Sequence, residues 1–425
     1  MMKQIVLILF VITIAIGCNN KHQDQTQKTF SIRIPAEFEP QNSIWMGFKT
    51  IESASYNDFD STRIEIIKAL NPYIKLNLVV EHDSLLKEGK DFFARMDLDT
   101  SKINIFYQSP TDIWYRDPGP IFGITKEDKL ALADFKYTGY LNVLPDLIDK
   151  WAQDHEGIDR NVAERLNIPI VVSKVAMEGG AFETNGKGTL IQVENITLKR
   201  NPHLSKDEIE EDFLNNFGIT NVIWLPAGVA DDPHNFKPIC ENIFGFGTGG
   251  HTDEFVRFAN DSTILLSWVS DAEKANHPIN RLNHEILSEN YLILKNSTNS
   301  DGNPFKIIKI PHPTPTTYKE VIDSSWQESY YGKELIETYR FNVNDTITMA
   351  HSSSYLNYII SDEVILLPEY WTDSQPLIIQ EKDQVVRSIF EELYPDRVII
   401  GINPLSLNTG GGGMHCCYQS EPRVN

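Results

Sequence analysis

Four glycines in a row, Gly410 to Gly413, lead through Met414 and His415 to the adjacent thiols Cys416 and Cys417. Glycines strip a turn of side chains and let backbone approach a ligand closely. A thiol behind such a turn is suited to nucleophilic attack, provided that something stabilises its ionised form. Read alone, the segment fits a glycine-rich surface loop with idle thiols equally well. Three more polar clusters follow apolar, strand-like runs: Asp112-Ile113-Trp114-Tyr115-Arg116-Asp117-Pro118-Gly119-Pro120, Met177-Glu178-Gly179-Gly180 and Gly249-Gly250-His251-Thr252-Asp253-Glu254-Phe255. Each has an ordinary reading as a turn, or, for His251, as a core histidine bonded to Asp253. Four such clusters at strand ends imply loops that converge on one site.

The residue types define the chemistry that such a site could do. A thiol and an imidazole, Cys416 and His251, would by themselves fit a cysteine protease. The carboxylates Asp117, Glu178 and Asp253 do not, because acids beside a thiolate raise its pKa unless a cation sits among them. A guanidinium group is such a cation. It is planar and permanently charged, it donates paired hydrogen bonds to carboxylates, and it exposes an electrophilic central carbon to sulfur.

The elements that must carry these loops alternate between helix and strand. Asn77–Val80 and Ile103–Tyr107 read as short strands. Asp58–Leu70 has helical spacing, with Ile64, Ile66, Ile67 and Leu70 on its buried face. The segments 162–166, 206–217 and 384–393 also read as helices, each followed by a short apolar run at 170–172, 222–225 and 398–400. This rhythm of similar units, without a clean sequence repeat, indicates an α/β fold. The 425 residues are 41% apolar, ample for a core, and the formal charge is −21. That balance excludes nucleic acid as a partner, which needs a basic face, and is compatible with cationic substrates.

The N-terminus reads as an export signal. Lys3 precedes the apolar run from Ile5 to Ile16, which is shorter than the roughly 20 residues of a spanning helix. Ala15-Ile16-Gly17-Cys18 then resembles a bacterial lipoprotein signal in which Cys18 is lipidated. The reading is a signal peptide over 1–17, a lipidated cysteine and flexible tether over 18–29, and one catalytic domain over 30–425. It places the protein on the membrane by a lipid anchor, on the periplasmic or cell-surface side, with free secretion as the alternative. Cys240, Cys416 and Cys417 form an odd set, and adjacent cysteines make a poor bridge, so free thiols are expected.

Taken together, the motifs resemble the agmatine deiminase and Porphyromonas-type peptidyl-arginine deiminase family of guanidino-group-modifying enzymes. The resemblance runs from Ile34-Pro35-Ala36-Glu37-Phe38-Glu39-Pro40-Gln41 and Ile44-Trp45-Met46 through the clusters above. It includes Ser354-Tyr355-Leu356-Asn357 and ends at Gly411-Gly412-Gly413-Met414-His415-Cys416. It implies a five-bladed α/β propeller with approximate five-fold pseudosymmetry and a central site. It also implies Cys416 as nucleophile, His251 as general acid and base, Asp117 and Asp253 as the guanidinium clamp, and Glu178 as a supporting acid. Trp114 and Asn357 would line the substrate pocket, and no cofactor or metal is required. Substrate choice stays open between agmatine and peptidyl arginine. The stretch Asp134–Asn142 carries a single lysine, without the paired basic clamp expected for a C-terminal arginine. Dihydrolase or amidinotransferase chemistry, and a lipoprotein that binds guanidinium without turnover, remain as alternatives.

Overall fold

The computed structural model describes residues 31–48, 58–140, 149–328 and 330–425. The expected signal, Cys18 and tether lie outside these residues. Among the described residues no helix is long and apolar enough to cross a membrane.

The described residues form an α/β fold of six small mixed sheets, five of which share one plan. An antiparallel strand pair is followed by a helical crossover to a third strand, parallel to the second; in four of the five a short turn joins the pair, and in the other the pair unites the two ends of the described chain. Parallel neighbours require such a crossover. The first of these units comprises Ile121–Ile124, Leu130–Lys136 and Ile170–Ala176. The second comprises Phe182–Thr184, Thr189–Val193 and Asn221–Leu225. The third is Val256–Asn260, Thr263–Trp268 and Lys306–Pro311, and the fourth is Ile359–Ile360, Val364–Pro368 and Val398–Ile402. In the fifth, the C-terminal strand Tyr418–Pro422 pairs antiparallel with Gln41–Phe48, which lies parallel to Lys75–Val80 and then Ile103–Tyr107. The two ends of the described chain thus close one sheet. The sixth sheet, Lys237–Cys240, Ile243–Gly245, Thr346–Ala350 and Thr317–Val321, departs from the plan.

Local sequence explains the crossovers. The helix Lys206–Phe217 starts at a capping box between Ser205 and Glu208 and stops at Gly218, whose φ of 67° suits a left-handed cap. The 19-residue helix Pro278–Asn296 starts with proline in its first turn and buries Ile279, Asn283, Leu287, Asn290 and Leu294, one face at helical spacing. Asp58–Leu70 is a helix with Ile66, Ile67 and Leu70 fully buried, and Ile64 partly so. The strands Thr189–Val193 and Val364–Pro368 are buried throughout, as expected for strands covered on both faces. The apolar run Ile170–Val172 does form a strand, but Val172 is 62% exposed because that strand lies at a sheet edge.

Apolar clusters tie the sheets together. One joins Ala133 to Phe182, a second Ile191 to Phe258, and a third Leu265 to Leu367. A fourth joins Leu366 to Met46, and a fifth joins Trp45 to Phe122. Each repeated sheet therefore shares buried side chains with the next, and the fifth with the first. Leu366 is fully buried in this network. Its replacement by alanine is expected to lower stability by about 2–5 kcal/mol in urea denaturation, through lost burial and the cavity left behind.

Candidate active site

The polar clusters occupy one equivalent place in the fold. Asp117 precedes the strand that begins at Ile121, Glu178 the strand at Phe182, and Asp253 the strand at Val256. Asn357 precedes the strand at Ile359 and Cys416 the strand at Tyr418. In all five cases this is the first strand of a repeated unit, at the edge of its sheet. The five loops meet, and all of the proposed reactive groups are buried.

Cys416 Sγ accepts hydrogen bonds from the Gly413 amide and from Asn357 Nδ2, each at 3.4 Å. It lies 3.6 Å from Asp253 Oδ2 and 3.9 Å from Glu254 Oε1. Burial, Asp253, Glu254 and Asp117 together hold the thiol well above its ordinary pKa, against the Gly413 amide. Cys417 Sγ turns instead toward the Gly413 carbonyl, 3.5 Å away, and packs in the core. Cys240, Cys416 and Cys417 are all unbridged.

His251 sits between two acids. Its Nδ1 is 3.8 Å from Asp117 Oδ1, and its Nε2 is 3.6 Å from Glu178 Oε2. Burial disfavours its cation, but Asp117, Glu178 and Asp253 outweigh that and lift the imidazole to about 9. Glu178 is pushed up by burial and pulled down more strongly by Arg200, whose Nε is 2.7 Å away, and by His251, to about 2. Asp117 is raised to about 6 by burial, assisted by Asp253 and Glu178 and opposed by His251 and the Tyr140 hydroxyl. Its Oδ1 accepts from the Gly180 amide at 2.9 Å and its Oδ2 from Tyr140 Oη at 2.8 Å. Gly180 permits this approach, since a Cβ there would lie 2.7 Å from His251 Nδ1. Asp253 also feels burial first, yet the hydrogen bond and charge of His415, with His251 and Arg116, keep it below its ordinary range.

Several buried polar atoms here have no hydrogen-bond partner: both ring nitrogens of His251, Glu178 Oε2 and Asp253 Oδ1. Orphaned groups of this kind are costly and call for an explanation. Next to them is a cavity of about 190 Å³ that reaches Cys416 and is lined by Asp112, Trp114, Asp117, Tyr140, Asn235 and Phe246, with glycines 410–412. Of the residues expected from sequence, Trp114, Asp117 and Cys416 line this cavity. His251, Asp253, Glu178 and Asn357 stand behind that lining, and Asn357 acts on the sulfur rather than on the cavity wall. Asp253, Glu254 and Cys416 bring ligand atoms within 4.8 Å of one another, a spacing that could hold a cation.

Some supporting residues escaped the sequence reading. Tyr140, which bonds Asp117, stands in a stretch read only for its lysine. Glu254 accepts from Asn357 Nδ2 at 2.9 Å, and burial with Asp253 and other acids holds it well above the usual carboxylate range. It sat in a quoted cluster beside two more conspicuous residues. Asp232 takes the amides of Thr248, Gly250 and His251 at 2.6, 2.9 and 3.0 Å and so shapes the histidine loop. Neither Asp232 nor Arg200 stands in any local pattern that would single it out.

Residues 33–422 match the family model described as Porphyromonas-type peptidyl-arginine deiminase. The agmatine deiminase of Pseudomonas syringae pv. tomato is 26% identical over 416 residues, covering 94% of this chain and 98% of that protein. The solved agmatine deiminase of Enterococcus faecalis superposes with a TM-score of 0.69 at 23% identity, over 92% of this chain and 96% of the other. A substrate-bound agmatine deiminase of C. jejuni gives a TM-score of 0.67 at 18% identity, over 92% and 97%. These structures share the fold. The chain belongs to the Porphyromonas-type peptidyl-arginine deiminase family, hydrolases that act on carbon–nitrogen bonds.

Proposed function

We propose that this protein hydrolyses a guanidinium group to a ureido group and ammonia through a covalent intermediate on Cys416. The observation that carries the reading is the buried thiol set 3.6 Å from Asp253 and 3.9 Å from Glu254, acids whose effect on the sulfur a bound cation would offset. A guanidinium entering the cavity would donate to Asp117 and to the unpartnered Asp253 Oδ1. Its charge offsets the acids and favours the thiolate, the thiol proton being released to solvent as the cation binds. Sulfur attacks the central carbon, and the protonated His251 gives its proton to the departing amine, which leaves as ammonia. The resulting thiouronium is attacked by water, which loses a proton to the now neutral His251. Collapse of that adduct breaks the C–S bond and frees the ureido product. Positioned proton transfer of this kind contributes roughly 10²–10⁴-fold. Glu178, fixed by Arg200, holds His251 in its protonated form. Trp114 forms part of the wall along which the substrate's aliphatic stem would lie.

The described lining of the cavity carries no lysine or arginine, while Asp112 and Asp117 are acidic. This supports a guanidinium whose far end is not a carboxylate, namely agmatine or an arginine within a peptide, over free or C-terminal arginine. The five repeated units, linked sheet to sheet by shared clusters, support reading the fold as a five-bladed α/β propeller with approximate five-fold pseudosymmetry. Anchoring to a membrane through Cys18 remains our reading of residues 1–29, on their sequence alone.

Cys416→Ser is expected to keep its thermal transition and lose ammonia release by at least about a thousandfold; a well-folded, active serine variant rejects the nucleophile. Offered agmatine, free arginine, and peptides with internal or terminal arginine, the wild type should release most ammonia from agmatine or internal arginine. A clear preference for free or C-terminal arginine would reject the substrate reading. The profile of kcat/KM against pH should be bell-shaped. Activity falls as pH drops through about 6, where Asp117 gains a proton, and as pH rises through about 9, where His251 loses one. Tyr140→Phe removes a hydrogen bond that lowers Asp117, so its acid limb should move to higher pH. An unmoved limb assigns that limb to another group.

A further inference from the structure

Two motif residues play no part in the chemistry above: Glu37, from the N-terminal segment, and His415, immediately before the thiol. The fold joins them. His415 Nε2 lies 2.8 and 3.0 Å from the two oxygens of Glu37, and Nδ1 lies 2.7 Å from Asp253 Oδ2. The ring is fully buried, its edge packs against Tyr418 at a centroid distance of 5.3 Å, and its backbone amide donates to Asn357 Oδ1 at 2.7 Å. Glu37 is itself held by Arg116, by Arg257 Nη2 at 2.6 Å and by Tyr418 Oη at 3.0 Å. Burial would raise Glu37, but Arg116, His415 and Arg257 outweigh it and keep it an anion.

Neutral imidazole offers one N–H, whereas a carboxylate at each ring nitrogen asks for two. A ring held by a carboxylate at both ends is locked in orientation. Buried charge is tolerable here because Arg116 and Arg257 balance Glu37 and Glu183 on the far side.

We infer that His415 is a positioning residue: anchored by Glu37, it pins Asp253 through Oδ2 and leaves Oδ1 as the oxygen that takes the substrate cation. The inference rests on the proposed clamp role of Asp253. The fit of the two facts is close, since Oδ2 is the bonded oxygen and Oδ1 is the buried one without a partner. Positioning errors of about 1 Å at a reacting centre can cost about a hundredfold. Asp253 is also faced by His251, Arg116, Cys416, Glu254 and Asp117. Without His415 it would lose its hydrogen bond and one of three cationic neighbours, and would keep a proton to higher pH.

The test compares His415→Leu with His415→Asn, whose amide can still donate toward Asp253. Crystal structures of both should show the Asp253 carboxylate turned from its wild-type position in His415→Leu and nearer to it in His415→Asn. With the guanidinium substrate, kcat/KM should fall about a hundredfold in His415→Leu, with the acid limb of the pH profile moved upward, and both effects should be smaller in His415→Asn. Should His415→Leu fail to fold, His415→Ala serves as the variant that cannot donate, and an unshifted Asp253 with an unshifted acid limb there overturns the proposal. An Asp253 that stays in place in His415→Leu overturns it as well, whatever the enzyme acts on. Absence of ammonia release from the wild type would reject the reaction while leaving the crystallographic result to decide the role of His415.

Discussion

Negative charge packed around a buried sulfur is the constraint on which the site depends. Asp117, Asp253 and Glu254 all act to hold the Cys416 thiol up. In the folded protein the strain is eased on three sides. Glu254 takes the Asn357 side-chain amide, Asp253 leans on His415, and Asp117 takes a tyrosine hydroxyl and a backbone amide. What remains is a cavity walled by Asp112 and Asp117, with the unpaired acceptors Asp253 Oδ1 and Glu178 Oε2 behind its lining, a setting suited to a flat, multiply donating cation. An ammonium would provide charge but no electrophilic carbon. A guanidinium would provide both, so that in the proposed reaction the groups that disfavour the free thiolate become productive once a substrate is in place.

The fold supplies this concentration of charge by repetition. Each repeated unit sends one loop to the site from the same structural position, the entry to its edge strand. One unit thereby contributes an aspartate, the next a glutamate, the third a histidine with another aspartate, the fourth an asparagine and the fifth a cysteine. Residues more than 370 positions apart, such as Glu37 and His415, meet because the terminal strands share a sheet. Two acids are braced from behind by ion pairs, Glu178 by Arg200 and Glu37 by Arg116 and Arg257, so both are held in place by buried cations rather than by solvent. No lysine or arginine stands among the described residues that line the cavity, whereas Asp112 and Asp117 do.

Much of this was legible in the sequence because it is carried by local pattern. Ile66, Ile67 and Leu70 announce a buried helix face by spacing, and the helix Lys206–Phe217 has its capping box and terminal glycine in plain order. Asp117, Glu178, His251, Asp253 and Cys416 stood out because each reactive type sits beside glycines at the end of an apolar run. The longest helix, Pro278–Asn296, was missed because asparagines at 283 and 290 occupy its buried face and blur the apolar period. The sixth sheet pairs Ile243–Gly245 with Thr346–Ala350 across about a hundred residues, a contact that no local rule encodes. Tyr140, Asp232 and Arg200 were illegible for a related reason. Each is an ordinary polar residue whose importance comes only from a partner distant in sequence. The apolar strand that begins at Ile170 shows the converse limit, since composition indicated a strand but not that it would lie at an exposed edge.

If the acids select for a cation, the thiol should discriminate between alkylating reagents by charge. The direct measurement is the rate of Cys416 modification by an amidinium reagent, 2-chloroacetamidine, against neutral chloroacetamide at the same pH, with the modified peptide identified by mass spectrometry. The account predicts markedly faster modification of Cys416 by the cationic reagent, with the advantage reduced in Asp117→Asn. Equal rates, or faster reaction with the neutral amide, would contradict it.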